Sequence, residues 1–476
     1  ALGNPKLCVG PKQISEWNKQ AKMDHWIKGG SVSREEDGFS LDVGQFRGDE
    51  LMNEYTINRC RMTPREQWRA DVVSFADAFE KWKFMNSYMD YTDLIDTAFR
   101  QKVRPPGNPS TILVDEAQDH DALEFRLIRY WGSLVNKLIM VGDSDQNLYS
   151  WRGSNPLVFH ETEIPKENEK VLEQSYRVPR AVHKVAMEMI ERCGTNRKQV
   201  VYHPRDEQGE VSFAPYSLRM DPVEAVREIE RLLEEPDSKP GRAKVMILTT
   251  CAYMTQPITT ALRDAGIPFW NPYSRERSNF NPLHPAKGMS TLDRILRYLK
   301  PNEEANGADA KMWTWADFHE WSELCNAEGW LRHGAKAELK RRAASNATQI
   351  MSVEDIESVL SGPDVLAELE KVDLGFLAPR IADAKLNVYN YVVDIQRKRG
   401  YNELSNNPRV ITGTVHSVKG AEADHVILSP DLSSSGWEVY GSKHIDSLHR
   451  LFYVGLTRAY RRLVLCQASS PRAIQW

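Results

Sequence analysis

Short, continuously apolar runs alternate along this chain with longer stretches of helical periodicity. Residues 13–100 carry apolar side chains at intervals of three and four, which predicts helices over 14–26 and 64–89. The run 111–114 is apolar and partly β-branched, the profile of a strand buried on both faces of a parallel sheet. A helical segment, 122–134, and a second apolar run, 138–141, follow it, and this order predicts a strand–helix–strand unit.

Four further apolar runs predict a second parallel sheet. They lie at 245–248, 410–412, 425–428 and 463–466. Residues 282–400 separate the first run from the other three, have a mostly helical pattern, and are interpreted as an insertion into a second α/β domain. Trp315, Phe318, Trp321 and Leu324 follow one another at intervals of three within that insertion, and this spacing favours a buried helix face over an exposed binding surface.

Composition indicates a soluble multidomain protein but no particular chemistry. Hydrophobic residues make up 41% and charged residues 27% of the 476 residues, and no apolar run approaches the roughly 20 residues that span a bilayer. The six cysteines are scattered without a CxxC pair, which argues against a disulfide framework or a zinc site. The net charge of -4 does not indicate nucleic acid, although a binding groove needs only local positive charge. We therefore expect a cytoplasmic protein, bacterial or viral in a host, that is not secreted.

Candidate chemistry begins where the first predicted strand ends. Asp115 and Glu116 follow that strand in the segment ILVDEAQD, at the carboxyl edge of a parallel sheet, where α/β folds bind ligands. Asp115 could hold Mg²⁺ through water, and Glu116 could orient or deprotonate a water that attacks a γ-phosphate. A bare Asp-Glu pair, taken alone, is more often a solvated acidic turn.

The segment after the next strand, GDSDQNLYSWRG (142–153), adds polar and aromatic side chains. Gln146 at the strand end can contact both a nucleotide and the attacking water. Tyr149 and Trp151, with the adjacent Arg152, can stack on and hold single-stranded bases. Trp151 by itself would more often be a core residue.

Five segments in order resemble the motifs of the UvrD/PcrA/Rep family of superfamily 1 helicases. They span 112–459, and the fold that the resemblance implies is α/β, with two RecA-like parallel-sheet motor domains that each carry a mainly helical insertion. The matches are DEAQD (115–119) to DExQD, 142–153 to GDxxQxIYxFRGA, LEQSYR (172–177) to LxxNYR, TVHSVKGAE (414–422) to TxHxxKGLE, and RLFYVGLTRA (450–459) to RRLxYVAxTRA. Ser175 stands where the family has Asn, and Ala421 where it has Leu.

The resemblance implies a nucleotide-facing set and a DNA-facing set of side chains. In the first set, carboxylates serve Mg²⁺ and the attacking water, guanidinium groups neutralise the γ-phosphate, and other residues contact the base and ribose. This set comprises Asp115 and Glu116 for Mg²⁺ and water, Gln146, Arg177 and Arg458 at the γ-phosphate, Tyr176 on the adenine, Glu422 at the ribose, and Lys419 and Gly420 beside the nucleotide. The DNA-facing set comprises Tyr149, Trp151, Arg152 and His416, and a purely structural role for His416 stays open.

The resemblance also implies domain boundaries. The first motor domain would comprise 1–12 and 101–172 and be incomplete at its amino terminus, with 13–100 as its helical insertion. The second would comprise 173–281 and 401–476, with 282–400 as its insertion. The printed residues contain no Gly-x-x-x-x-Gly-Lys-Ser/Thr loop to cradle phosphates. We therefore expect an upstream segment to carry that loop, and the chain alone to be inactive.

The implied function is ATP-dependent translocation on single-stranded DNA and unwinding at single/double-strand junctions, 3′ to 5′. ATP and Mg²⁺ would be used between the two RecA-like domains, with replication or repair proteins as partners and no membrane. Two alternatives stay open: an ATPase-deficient single-stranded-DNA-binding or regulatory fragment, and the motor subunit of a recombination nuclease complex. ATPase assays distinguish the first alternative from a helicase, and co-purification distinguishes the second.

Overall fold

The part of the chain that the structure describes contains both strands and helices. The computed structural model describes residues 8–27, 47–150, 153–154, 164–194, 197, 200–237, 242–273, 280–284, 288–302, 312–442 and 444–476. Trp151 and Arg152, two predicted DNA-facing residues, lie outside these ranges. Within the described ranges, no helix is both long and apolar enough to cross a membrane.

The strands form parallel pairs, which confirms the predicted α/β class. One two-stranded sheet is β1-β2, another is β3-β4, and a six-stranded sheet has the order β5-β10-β9-β6-β8-β7. The strands are β1 Thr111–Val114, β2 Lys137–Met140, β3 Gln174–Pro179, β4 His203–Arg205, β5 Glu210–Phe213, β6 Ala243–Thr249, β7 Phe269–Trp270, β8 Val410–Thr414, β9 Ala423–Leu428 and β10 Ala459–Leu465.

The α-helices supply a further large part of the described structure. They are α1 Pro11–Asn18, α2 Arg47–Cys60, α3 Ala70–Met85, α4 Tyr91–Arg100, α5 Ala122–Gly132, α6 Arg180–Ile190, α7 Pro222–Glu234, α8 Gln256–Asp264, α9 Thr291–Leu299, α10 Trp315–Ser322, α11 Ala335–Ser345, α12 Val353–Val359, α13 Pro363–Leu369, α14 Leu374–Leu377, α15 Asp383–Arg399, α16 Asn402–Ser405, α17 Ser434–Tyr440 and α18 Asp446–Leu456.

The chain divides into two compact units. The first unit comprises Ala1–Met220, Ile247–Thr255 and Gly413–Trp476, and the second comprises Asp221–Met246 and Gln256–Thr412. The segments that resemble helicase motifs all belong to the first unit. In the second unit, α10 begins after the N-cap Thr314, whose hydroxyl accepts a hydrogen bond from the Asp317 amide. Trp315, Phe318 and Trp321 on this helix are buried, which confirms the predicted core face.

The predicted strand–helix–strand unit is present, but its burial differs from the prediction. Ile112 of β1 lies opposite Leu138 of β2, and both pack against a small core that α5 covers with Phe125. Leu113 alternates to the other face and is 72% exposed, so the prediction of a strand buried on both faces was wrong. Since α5 covers only one face of this pair among the described residues, the β-branched pattern overstated the burial.

Helices α1, α2 and α3 enclose an aromatic core in the first unit. Trp17, Phe75, Phe79 and Trp82 pack with ring centroids 5.1–6.0 Å apart. The predicted helices over 14–26 and 64–89 are shorter in the structure, at Pro11–Asn18 and Ala70–Met85. The second begins late because the chain after Pro64 is folded into a turn, in which the Trp68 indole donates to the Thr63 carbonyl (2.9 Å).

Candidate functional site

The end of strand β1 makes a sharp turn at the two predicted carboxylates. Glu116 has φ 49° and ψ 41°, a left-handed conformation that non-glycine residues seldom adopt. The Asp115 carboxylate accepts a hydrogen bond from the Glu116 amide (2.9 Å), and the Ala117 amide donates to the Val141 carbonyl (2.9 Å). The turn is therefore held to the neighbouring strand, and backbone strain is retained at a residue predicted to be catalytic.

Gln118 connects this turn to the loop that follows β2. It is fully buried; its Nε2 donates to Glu116 Oε2 (2.6 Å) and its Oε1 accepts from the Asp143 amide (2.9 Å). The Asn147 side-chain amide donates to the Gln118 carbonyl. A Cβ at Gly142 would lie 2.5 Å from Gln118 Oε1, so this contact requires glycine. Sequence reasoning gave Gln118 no role, although it is the glutamine of the DEAQD segment.

Lys419 brings the TVHSVKGAE segment against the DEAQD segment. Its Nζ lies 3.1 Å from Glu116 Oε2 and forms a closer ion pair with Asp119. Burial alone would raise the pKa of Glu116, but the Lys419 ammonium and the Gln118 hydrogen bond outweigh it and lower that pKa. At Asp119 burial prevails and the pKa is raised, although Lys419 opposes the change. Lys419 therefore favours the ionised form of Glu116, whose pKa lies below its ordinary value.

Arg458 brings the RLFYVGLTRA segment to the same place. Its guanidinium is buried and donates to the carbonyls of Val454 (2.8 Å) and Ala421 (3.3 Å) and to Gln146 Oε1 (3.2 Å). Burial, followed by the nearby positive charge of Arg177, lowers the pKa of Arg458 to about 9, so it remains charged at neutral pH. Two like charges held close together are stabilised by a bound anion, and this arrangement fits a phosphate group.

Arg177 and Tyr176 sit on strand β3 with different exposures. The Arg177 Nε is buried and has no hydrogen-bond partner among the described residues. Tyr176 is 85% exposed, which leaves its ring available for stacking. Gly420 has φ 84° with open space around it, and Glu422 lies partly buried just before β9. No described contact joins Tyr176 or Gly420 to the Glu116–Arg458 group.

Tyr149 and His416, two predicted DNA-facing residues, lie side by side. Their rings meet edge to face at 6.4 Å, and Lys419 Nζ lies 5.8 Å from the Tyr149 ring centroid. His416 is only 5% exposed, and burial lowers its pKa to about 4, so the imidazole is neutral at physiological pH. His416 is therefore a buried residue that packs against the Tyr149 ring, and it does not lie on the protein surface.

The exposed carboxylates at the end of β1 fit the magnesium ion that the resemblance implies. Asp115 and Glu116 are both exposed, and carboxylate oxygens are the ligands that Mg²⁺ prefers, commonly through water.

Comparison with known proteins agrees with the motif assignment. Residues 49–165 match the family description "UvrD/REP helicase N-terminal domain", and residues 380–470 match "UvrD-like helicase C-terminal domain". The chain is 28% identical over 192 residues to ATP-dependent DNA helicase PcrA of Bacillus subtilis. The aligned residues cover 37% of this chain and 26% of PcrA. It is 23% identical over 268 residues to YjcD of the same organism, covering 54% of this chain and 34% of YjcD. PcrA of Staphylococcus aureus is 26% identical over 168 residues, covering 33% of this chain and 23% of that protein. These matches therefore span about a third or less of the relatives' own length.

Proposed function

Because the chain belongs to the UvrD/PcrA type of superfamily 1 helicases, we propose that it forms part of an ATP-driven motor that moves along single-stranded DNA. One observation carries the proposal. Glu116, Gln146, Lys419 and Arg458, from four separate motif segments, meet within one compact unit through the Lys419–Glu116 and Arg458–Gln146 contacts. Carboxylate, amide and guanidinium groups in one place are what hydrolysis of a nucleoside triphosphate requires.

The roles of these residues follow from their contacts. Glu116 is ionised at neutral pH, and Gln118 and Lys419 fix its carboxylate, so it can orient the attacking water and accept its proton. Arg458 and Arg177 supply positive charge where charge accumulates on the transferred phosphoryl group. A Mg²⁺ ion bound through Asp115 would neutralise phosphate oxygens. In this proposal Tyr176 would stack on the adenine, and Glu422, Gly420 and Lys419 would border the nucleotide.

A short chain of contacts links the nucleotide-facing and DNA-facing residues. Gln146 contacts Arg458 and precedes Tyr149 by three residues, and Lys419 lies beside both Glu116 and the Tyr149 ring. We propose that a change at the bound γ-phosphate alters how the DNA-facing residues hold DNA, and that the contacts of Gln146 and Lys419 transmit this change. Substitution of Gln146 should then depress DNA-stimulated hydrolysis much more than DNA affinity, and equal losses of both would contradict the coupling.

The remaining features of the proposal follow from family membership. The two RecA-like domains and their helical insertions would follow the boundaries predicted above, the motor would move 3′ to 5′, and single/double-strand junctions would be its substrates. Trp151 and Arg152 would join Tyr149 on the DNA path, with His416 supporting the Tyr149 ring. Replication or repair proteins would be its partners.

Single-stranded-DNA-stimulated ATPase activity tests the proposal. The assay uses the chain as printed, and the same chain extended by the phosphate-binding segment expected from the sequence. We expect little hydrolysis from the first, robust hydrolysis from the second, and near-abolition by Glu116→Gln in the second. Glu188→Gln, an exposed carboxylate on α6, is the matched control and should retain activity. Full activity of Glu116→Gln would contradict the assigned role.

A second candidate function applies to the printed residues by themselves. They contain no phosphate-binding loop of the Gly-x-x-x-x-Gly-Lys-Ser/Thr form, which favours an ATPase-deficient DNA-binding fragment. This candidate predicts single-stranded-DNA binding that does not change when ATP is added.

A further inference from the structure

A cysteine, an aspartate and a histidine, none of which was assigned a role above, come together in the first unit. One ligand atom from each of Cys193, Asp446 and His449 lies within 4.8 Å of the others. Cys193 follows α6, whereas Asp446 and His449 lie in the first turns of α18, three residues apart and thus on one helix face. Residues more than 250 positions apart in sequence therefore supply one site.

We propose that this Cys193–Asp446–His449 cluster binds a divalent transition-metal ion, with Zn²⁺ as the best fit. Thiolate, imidazole and carboxylate are the three side chains that bind zinc, whereas Ca²⁺ and Mg²⁺ select oxygen ligands alone. Three protein ligands leave a fourth tetrahedral position for water. The inference does not rest on the proposed motor function.

The local hydrogen bonding shows that the cluster is held in place. The Gly194 amide donates to Asp446 Oδ1 (3.1 Å), and the Cys193 thiol donates to the Asp446 backbone carbonyl (3.6 Å). His449 is 6% exposed, and its Nδ1 is buried without a hydrogen-bond partner among the described residues. A buried ring nitrogen with no partner is costly unless something binds it, and a metal ion would do so.

Distance and charge are both compatible with the ion. Zinc–ligand bonds of about 2.0–2.3 Å place tetrahedral ligand atoms roughly 3.5 Å apart, so modest side-chain rotations would close the cluster. When the thiol loses its proton to solvent, the thiolate and the Asp446 carboxylate together neutralise a 2+ ion.

The metal would also join two segments that carry nucleotide-facing residues. Cys193 lies downstream of Arg177, and α18 leads directly into Arg458. A metal ion between them would cross-link the two segments without touching the nucleotide. We therefore expect bound Zn²⁺ to raise the Tm of the chain by a few degrees, since a ligand that binds only the folded state stabilises it.

Cobalt substitution in the full chain tests the site. We expect Co²⁺ to produce the charge-transfer absorption of a cobalt–thiolate bond together with the d–d bands of tetrahedral cobalt, and Zn²⁺ to remove both. Cys193→Ser should abolish the charge-transfer absorption, and His449→Gln should weaken Co²⁺ binding at least tenfold. Asp446→Asn should weaken binding but retain the thiolate signal. Cys8→Ser and His444→Gln, which lie outside the cluster, are the matched controls and should bind Co²⁺ like the parent chain.

Several results would overturn the proposal. Absence of Co²⁺ and Zn²⁺ binding would show that the three side chains merely pack together. A thiolate signal that survives in Cys193→Ser would assign the metal to another cysteine. Circular dichroism of each variant without metal establishes that it folds, and if Cys193→Ser does not fold, the His449→Gln result decides alone.

Discussion

Replacement of Lys419 by methionine probes the ion-pair group on which the site depends. The substitution keeps the length and apolar stem of the side chain but removes the ammonium that faces Glu116 and Asp119. Two neighbouring carboxylates then remain without their shared cation. We expect Lys419→Met to lower both the stability of the first unit and the rate of ATP hydrolysis.

The exposures of the three side chains set the magnitude. The Lys419 side chain is 9% exposed, that of Asp119 16% and that of Glu116 47%. Removing one partner of a fully buried pair costs about 3–5 kcal/mol, whereas a solvent-exposed pair contributes about 0–1 kcal/mol. The Asp119 pair is mostly buried and the Glu116 pair half-exposed, so a total of about 3 kcal/mol is expected. This loss corresponds to a fall in Tm of about 5 °C or more.

The pH dependence has a definite sign. Lys419 lowers the pKa of Glu116, so the stability from this pair is present above the ordinary value of 4.5 and is lost as pH falls through the lowered pKa. In Lys419→Met the carboxylates protonate more readily, which relieves their repulsion. The Tm difference between the parent chain and Lys419→Met should therefore be largest near neutral pH and shrink as pH falls below 4.5.

Thermal unfolding followed by circular dichroism at several pH values measures this difference. Lys184→Met, at an exposed position of α6, is the matched control. Lys419→Arg, which keeps the charge, should recover most of the stability. The reasoning is refuted if Lys419→Met and Lys184→Met unfold at the same temperature, or if their difference does not depend on pH.

Three further substitutions test other parts of the account. Lys83→Met should lower the Tm by several degrees because the buried Lys83 ammonium pairs with Asp93, while Lys81→Met at an exposed position should not; equal Tm values would exclude a stabilising role for that pair. Tyr176→Ala should raise the KM for ATP about tenfold by loss of stacking and Tyr176→Phe should not, and an unchanged KM in the alanine variant would count against adenine stacking. Gln118→Leu should lower kcat about tenfold or more with a smaller change in KM, since Glu116 loses a hydrogen bond that orients it; a change confined to KM would assign Gln118 to binding instead.

Sequence patterns located the two main parallel sheets but not all of their strands. The apolar runs 245–248 and 425–428 lie in β6 and β9. They could be predicted because strands in the interior of a parallel sheet are rich in apolar residues. Strands β4 and β5 escaped prediction because they are short and contain polar residues. Leu113 was predicted to be buried but is exposed, because an apolar run does not specify which face of a strand is covered.

The sequence predicted which residues form the candidate site but not how their side chains contact one another. Motif resemblance named Glu116, Gln146, Lys419 and Arg458, but not that Lys419 pairs with two carboxylates or that Arg458 donates to Gln146. Such contacts join residues about 300 positions apart, and no local periodicity encodes them. The Cys193 cluster shows the same limit, because a search for CxxC spacing finds only ligands that are neighbours in sequence.

The most direct test of the central claim is a crystal structure, with Mg²⁺ and a non-hydrolysable ATP analogue, of the chain extended by the expected phosphate-binding segment. The account predicts that the guanidinium groups of Arg177 and Arg458 bind the γ-phosphate, with Mg²⁺ near Asp115 and the site of the attacking water next to Glu116. A nucleotide bound elsewhere, with these side chains in the contacts described above and no phosphate among them, would contradict it.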